Sequence, residues 1–350
     1  MSEFAHEEKF LKAKSTLNID NIVKLADKVL LNPLFAGAAL ALSYQNGDLY
    51  ENLPRFAGIA GAGILTTILY FFRVISRRYL KIKGWKLTSR DVAVITGGSN
   101  GLGHYIAYEL SKRGVRCAIL DREKPARTLP GSTYYYCDLT DKTVIDKAFA
   151  EVQRDMGPIS ILVNNAGMMC EQRVQDLNEK LIRNLFEVNI VSHFWTLQAV
   201  IPDFLKYKRG WVVSVASTVG LIGPGHMSAY TSSKHAVVGL HDSITHERGL
   251  AGKVGTTLVC PGQMNTRLFA DLSTPTKFFA PVVESQALAK IIVDNIANGQ
   301  RGEVIEPLYA RLTPLARIVP HWLADFCRWA TNLDGCMEEV EHKKVGRGEL

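Results

Sequence analysis

From Asp91 onward the chain alternates short apolar runs with longer stretches of helical pattern, and no other feature restricts the fold as much. VAVIT (92–96), VRCAIL (115–120), YYYC (134–137), ISILVNN (159–165), WVVSVAS (211–217), TTLVC (256–260) and VIEP (304–307) read as buried strands. Helical patterns over 102–113, 141–156, 178–207, 230–247 and 285–298 lie between them. Strands joined by helical crossovers run parallel, so the pattern predicts a doubly wound α/β fold with a parallel sheet of about seven strands.

The first strand runs straight into TGGSNGLG, Thr96 to Gly103. Glycines at a strand-to-helix turn let the backbone approach a pyrophosphate, whose charge the helix N-terminus then meets. Thr96, Gly97, Ser99, Asn100, Gly101, Leu102 and Gly103 are therefore candidate dinucleotide ligands. The second strand ends in Asp121, at the separation where an acidic side chain meets the adenosine ribose hydroxyls. A carboxylate there repels a 2′-phosphate, which favours NAD; Arg122 beside it keeps NADP open.

In SAYTSSKHAVVGL, Tyr230 and Lys234 stand one helical turn apart and leave the same face. A cation held beside a phenol in a water-poor site favours phenolate, so the pair is expected to bring Tyr230 towards acid/base work.

In this order and at these element ends, the residues resemble the classical short-chain dehydrogenase/reductase family over 90 to about 307. Its T-G-x-x-x-G-x-G stands as Thr96, Gly97, Gly101 and Gly103, its N-N-A-G as Asn164 to Gly167, and its Y-x-x-x-K as Tyr230 to Lys234. The resemblance implies a Rossmann-type sheet and a tetrad of Asn189, Ser217, Tyr230 and Lys234. Ser217 would hold the substrate oxygen, Tyr230 would exchange its proton, Lys234 would lower the phenol's pKa and bind the nicotinamide ribose, and Asn189 would hold a water. It further implies cofactor contacts at Asp138, Leu139, Asn165, Ala166, Gly167, Pro261, Gly262, Met264 and Thr266, and pairing of subunits through helices as a possible homodimer. FEVNIVSHFWTLQAVIP, VVSVASTVG and AYTSSKHAVVGLH look most like the membrane-anchored subgroup of epidermal-type retinol dehydrogenases and lipid-droplet 17β-hydroxysteroid dehydrogenases. That subgroup acts on lipophilic alcohols and ketones.

Before this domain, FAGIAGAGILTTILYFF (56–72) is uncharged and near the lower limit for spanning a bilayer, about 17 residues. PLFAGAALALSY (33–44) is shorter: a second pass, a re-entrant piece or an interfacial helix. The alternative is a buried pair of core helices. Arg73, Arg77, Arg78, Lys81, Lys83 and Lys86 follow, and the positive-inside rule would then hold the catalytic domain in the cytosol, while the subgroup resemblance implies the endoplasmic reticulum or a lipid droplet. The charged first 28 residues argue against a cleavable signal peptide. These features divide the chain into 1–86 with the apolar segments, 87–307 as the dinucleotide-binding domain, and 308–350 as an amphipathic extension and tail.

The net charge of +7 is not gathered into basic blocks interleaved with aromatics, so nucleic acid is not an expected partner. Six cysteines (Cys117, Cys137, Cys170, Cys260, Cys327 and Cys336) form no C-x-x-C and read as free thiols of a reducing compartment. His241 and His246 lack a zinc-ligand setting, so no metal is expected. Met168 and Met169 are core residues or pocket lining.

After the last strand Leu308, Leu312, Leu315, Val319, Trp322, Phe326 and Trp329 recur at three- and four-residue spacing, with Pro314 and Pro320 expected to divide the stripe. It would lie on a bilayer or pack on the domain. Leu268, Phe269, Phe278 and Phe279 fall where the family carries its substrate lid. The chain reads as a membrane-associated oxidoreductase of lipophilic alcohols or ketones using NAD; an NADPH-dependent keto-lipid reductase and a non-catalytic membrane scaffold are the alternatives.

Overall fold

The computed structural model describes residues 20, 32–46, 48–250, 252–269 and 280–334. Phe278, Phe279 and Cys336 lie outside them. The described chain falls into two compact units, one within Ser15–Lys81 and one from Ile82 onward.

The first unit contains α1 (Pro33–Gln45), the short α2 (Asp48–Glu51) and α3 (Leu53–Tyr79). Asn32 and Asn52 start the two longer helices, their side chains accepting from the Leu34 and Arg55 N–H groups at 3.0 and 3.3 Å, each with a proline in the first turn. The apolar run continues through Arg73 into a helix of 27 residues, long enough to cross a membrane. A buried core pair does not fit this unit: only 6% of the apolar window of α3 is covered.

The second unit carries β1 (Val92–Thr96), α4 (Gly101–Ser111), β2 (Arg116–Asp121), β3 (Ser132–Tyr136), α5 (Lys142–Met156), β4 (Ile161–Asn164), α6 (Glu179–Phe186), α7 (Ser192–Tyr207), β5 (Trp211–Val215), α8 (Ser228–His246), β6 (Gly255–Pro261), α9 (Ser285–Ala297), β7 (Gly302–Glu306) and α10 (His321–Ala330). All seven strands are parallel, in the order β3-β2-β1-β4-β5-β6-β7. One face of the sheet packs on α4 and α9 through Ile106, Leu110, Ile292 and Val293, the other on α5 and α7 through Phe149, Val152, Val200 and Phe204. The order reverses between β1 and β4, which opens a crevice beyond the strands' carboxyl ends.

The stretch expected as one helix over 178–207 is two, joined by a π-helical turn at Glu187–Val191. Neither glycine nor proline marks it in the sequence. The wider turn directs Asn189 into the interior, where it is wholly buried. Of the two prolines in the C-terminal stripe, Pro320 caps α10, whereas Pro314 is accommodated inside a 3-10 stretch, Leu308–Arg317.

At the amino ends of the strands, residues 82–91 close the bottom of the sheet. The Ile82 N–H donates to Gly299 O at 2.8 Å, and the buried Trp85 ring meets Trp211 with centroids 5.0 Å apart. Arg209 lies 4.3 Å over Trp85 and donates to both Asp91 carboxylate oxygens at 2.7 Å and to Lys86 O at 2.6 Å. Burial alone would raise the Asp91 carboxyl, but hydrogen bonds from Arg209, the Thr88 N–H and Ser160, with the guanidinium charge, hold it below its usual range.

A carboxylate with a depressed folded-state pKa adds stability that is complete above the unfolded value, 3.8, and is lost as pH falls through the folded one. Asp91→Asn is expected to cost about 3 kcal/mol at neutral pH, because Arg209 keeps a partly buried charge without its partner. The deficit relative to wild type is expected to narrow below pH 3.8, as measured by urea denaturation at neutral and acid pH.

Candidate active site

Along one edge of the crevice the sequence turns sharply from β1 into α4. Gly97 and Gly101 have φ of 62° and 55°, in the left-handed region that favours glycine. A Cβ on Gly97 would stand 2.8 Å from Ala166 Cα, one on Gly103 2.4 Å from Gly97 O, and one on Gly101 3.2 Å from the Thr266 methyl. The turn is thus a cradle that side chains would fill. Asn100 caps α4 without a side-chain hydrogen bond, so the first-turn N–H groups of the helix, those of Leu102 and Gly103 among them, meet no capping side chain and can receive an anion. Thr96 and Asn165 staple the cradle to β4. The Thr96 hydroxyl accepts the Asn165 and Ala166 N–H groups at 3.0 and 3.1 Å, and Asn165 Nδ2 donates to Thr96 O and Gly97 O at 3.0 and 3.1 Å.

The Asp121 carboxylate, at the end of β2, accepts the Ser99 N–H at 3.1 Å and the Glu123 N–H at 3.2 Å, while the Ser99 hydroxyl donates to Glu123 O at 2.6 Å. The acid is held at the rim of the cradle. Asp138, after β3, accepts from the Thr140 N–H and hydroxyl at 2.9 and 2.8 Å, with Leu139 buried beside it.

On the opposite side, Ser217 follows β5, and Tyr230 and Lys234 stand on α8, all three with under 5% of their surface exposed. The Ser217 hydroxyl donates to Pro261 O at 3.3 Å, joining the ends of β5 and β6. Gly262 closes the β6 end: its N–H donates to Glu306 O at 2.7 Å, and a Cβ there would meet Pro307 at 2.7 Å. Met264 pairs with Val283, and Asn265 holds Ser285 through two hydrogen bonds at 2.8 and 2.9 Å, which fixes the base of the segment bearing Thr266.

Burial pushes the Tyr230 phenol up to about 12, against a smaller lowering by its hydrogen bond with Ser217, and pushes Lys234 down to about 8. In the resting site burial sets the direction for the phenol. The Lys234 ammonium donates to Val215 O at 3.0 Å and lies 5.8 Å from the Tyr230 ring centroid. The resting phenol is a protonated donor.

The Asn189 side chain is taken up by protein groups. Asn189 Oδ1 accepts the Met168 N–H at 2.7 Å, and Nδ2 donates to Met168 O and the Ser233 hydroxyl at 2.9 Å. Asn189 thereby ties the N-N-A-G segment to α8. Ser233 and Val215 are members of the site that motif reading missed; Ser233 has a signal, a hydroxyl three residues after Tyr230 on the buried face. Met169 packs with Cys170, Leu177, Leu181 and Val219 around Tyr230 as an apolar wall. Phe269, expected in the lid, is instead buried in the core against α9 and the sheet. His241 is a core histidine, its Nδ1 3.0 Å from the Ser214 hydroxyl and its pKa lowered to about 4 by burial. The described cysteines are all free, and burial pushes the Cys117, Cys137 and Cys260 thiols up to about 12.

A family model for short chain dehydrogenases matches residues 91–277. The chain belongs to that family. Estradiol 17-beta-dehydrogenase 11 of Mus musculus is 30% identical over 269 residues, 73% of this chain and 89% of that one. The short-chain dehydrogenase/reductase family 16C member 6 of Bos taurus is 28% identical over 254 residues, covering 67% of this chain and 78% of its own. The 3-ketoacyl-(acyl-carrier-protein) reductase of Brucella melitensis complexed with NADH superposes with a TM-score of 0.56 at 20% identity, over 62% of this chain and 96% of its own. The resemblance to the retinol dehydrogenase and 17β-hydroxysteroid dehydrogenase subgroup therefore holds, and the protein is an NAD(P)-dependent oxidoreductase of CH–OH groups.

The folded-state pKa of Lys234 lies below its unfolded value, 10.5, so at neutral pH its buried charge opposes folding. Lys234→Met is expected to raise the melting temperature of the cofactor-free protein by a few degrees at pH 7. The gain should persist up to about pH 8 and vanish towards 10.5, where wild-type Lys234 is neutral folded or unfolded. Calorimetry across that range reads it.

Proposed function

We propose that the protein is a membrane-associated oxidoreductase moving a hydride between NAD(H) and the hydroxyl or carbonyl carbon of a lipophilic substrate, of the retinoid, steroid or long-chain alcohol class. The observation that carries the chemistry is the buried group of Ser217, Tyr230 and Lys234 across the crevice from a glycine cradle ending at Asp121. When bound, the nicotinamide supplies the hydride chemistry. The pyrophosphate would rest on the Gly97–Gly103 cradle and the first turn of α4, the adenosine ribose on Asp121, and the carboxamide on Thr266.

The chain's own side chains handle the substrate oxygen and its proton. Ser217 holds the oxygen with its hydroxyl. Tyr230, protonated at rest, donates its phenolic proton to that oxygen in the reductive direction and takes it back in the oxidative one. Lys234, aimed by Val215 O, lends positive charge as phenolate forms and would hydrogen-bond the nicotinamide ribose. Asn189 fixes the segment facing this group.

Lipophilic substrates are supported by the apolar wall around Tyr230, by the related estradiol 17-beta-dehydrogenase 11, and by α3. The six basic residues that follow the apolar run favour a cytosol-facing domain at the endoplasmic reticulum or a lipid droplet. A non-catalytic scaffold is disfavoured, because holding the Lys234 charge without water opposes folding and binding alone does not require it. Arg122, next to Asp121, keeps NADPH as the second reading of the cofactor.

Tyr230→Phe is expected to retain fold and dinucleotide affinity and to lose turnover by about 10² to 10⁴-fold, the usual range for a positioned acid. Retention of the wild-type rate on a panel of retinols, steroids and fatty alcohols would remove Tyr230 from the role. Asp121→Ser is expected to weaken NAD(H) and strengthen NADP(H) binding, as measured by titrating both dinucleotides; a wild-type protein that prefers NADPH sinks the NAD assignment.

A further inference from the structure

The C-terminal segment is built inside out. On α10 the residues turned to the domain include the half-buried Arg328, whose guanidinium donates to Gly223 O at 2.9 Å and to Asp334 at 2.6 and 3.1 Å. Asp334 in turn accepts the Gly225 N–H at 2.8 Å. The opposite face, at spacings of four and three, presents Trp322, Phe326 and Trp329, with the two tryptophans 70% and 77% exposed. Leu312, Leu315 and Ile318 of the preceding 3-10 stretch are exposed as well. A helix packed on a domain normally buries its apolar stripe and shows its cations to solvent. Here the cation is inside and the aromatics outside, so the segment is held by polar contacts while its apolar face is left for another phase.

We infer that this outward face of residues 308–330 is a second lipid-surface contact, resting at the boundary between headgroups and acyl chains. The inference rests on the reading that the protein is membrane-associated, and adds to it the surface by which the catalytic domain meets the lipid. Two observations select lipid over a second copy of the chain. The same chain carries the 27-residue apolar α3, and only Leu80 and Lys81 lie between its end and Ile82, which is already bonded to Gly299. The domain is therefore tied by a short connection to a segment long and apolar enough for lipid. Tryptophans that expose their rings beside arginine are also the composition that an interfacial segment uses. Contact at this face has a consequence for the site: the helix that touches lipid is bonded to Gly223 directly and to Gly225 through Asp334, in the loop between Ser217 and Tyr230.

The test uses the full chain in phosphatidylcholine/phosphatidylserine vesicles with brominated acyl chains. None of the five tryptophans lies in α3; Trp85 and Trp211 are buried in the domain and Trp195 is half-buried beneath Lys142, so the variant's remaining quenching is the background. Wild-type emission is expected to be quenched by the brominated lipid. The Trp322→Ser/Trp329→Ser variant, its fold checked by circular dichroism, is expected to float with the vesicles yet to lose most of that quenching. Its apparent KM for a vesicle-dissolved long-chain alcohol should rise several-fold, with kcat for a water-soluble alcohol unchanged. Wild-type protein that floats without quenching overturns this contact and leaves the membrane reading standing; if cross-linked dimers then disappear in the variant, the face belongs to a second copy. A wild-type chain that never floats overturns both.

Discussion

Two ionisable side chains, Tyr230 and Lys234, stand one helical turn apart where water cannot reach them, and much of the fold serves to keep them there. Burial favours the neutral form of each, which leaves a protonated phenol beside a lysine close to losing its charge. On a surface the lysine would keep its charge firmly, and only burial brings it near neutrality. Helix α8 must therefore be pressed against the ends of β5 and β6, with Val215 O aiming the lysine and the Ser217 hydroxyl facing the phenol. The cost is carried by the rest of the sheet, whose central strands β1, β4, β5 and β6 are buried at every residue.

This architecture was legible in the sequence because parallel strands covered on both faces leave unbroken apolar runs. All seven runs found their strands to within about two residues, and the glycine pattern fell on the turn it implied. The π-turn at Glu187–Val191 was not legible: it arises from packing, and no glycine or proline announces it. Because of that turn, Asn189 reaches the interior, and its partners there, a main-chain segment and Ser233, were not legible either.

The electrostatics of the Y-x-x-x-K pair show a different limit. Spacing identifies which groups share a helix face, and it does so reliably for Tyr230 and Lys234. It carries nothing about how dry the site is, and burial sets the resting direction of the phenol's shift. The C-terminal stripe shows the same limit: its period is equally compatible with facing the core or facing away, and the inward Arg328 with the outward Trp322 and Trp329 distinguishes them.

The packing of residues 82–91 bears on where the polypeptide can be cut. A shortened chain that begins at Ile82 keeps Trp85 over Trp211 and keeps the Lys86 carbonyl for Arg209. One that begins five residues later removes both, uncovers an indole now fully buried, and loosens the guanidinium that neutralises Asp91. A catalytic domain freed of its apolar helix at the wrong place would thus aggregate through the floor of its own sheet, and the failure would be mistaken for a need for lipid.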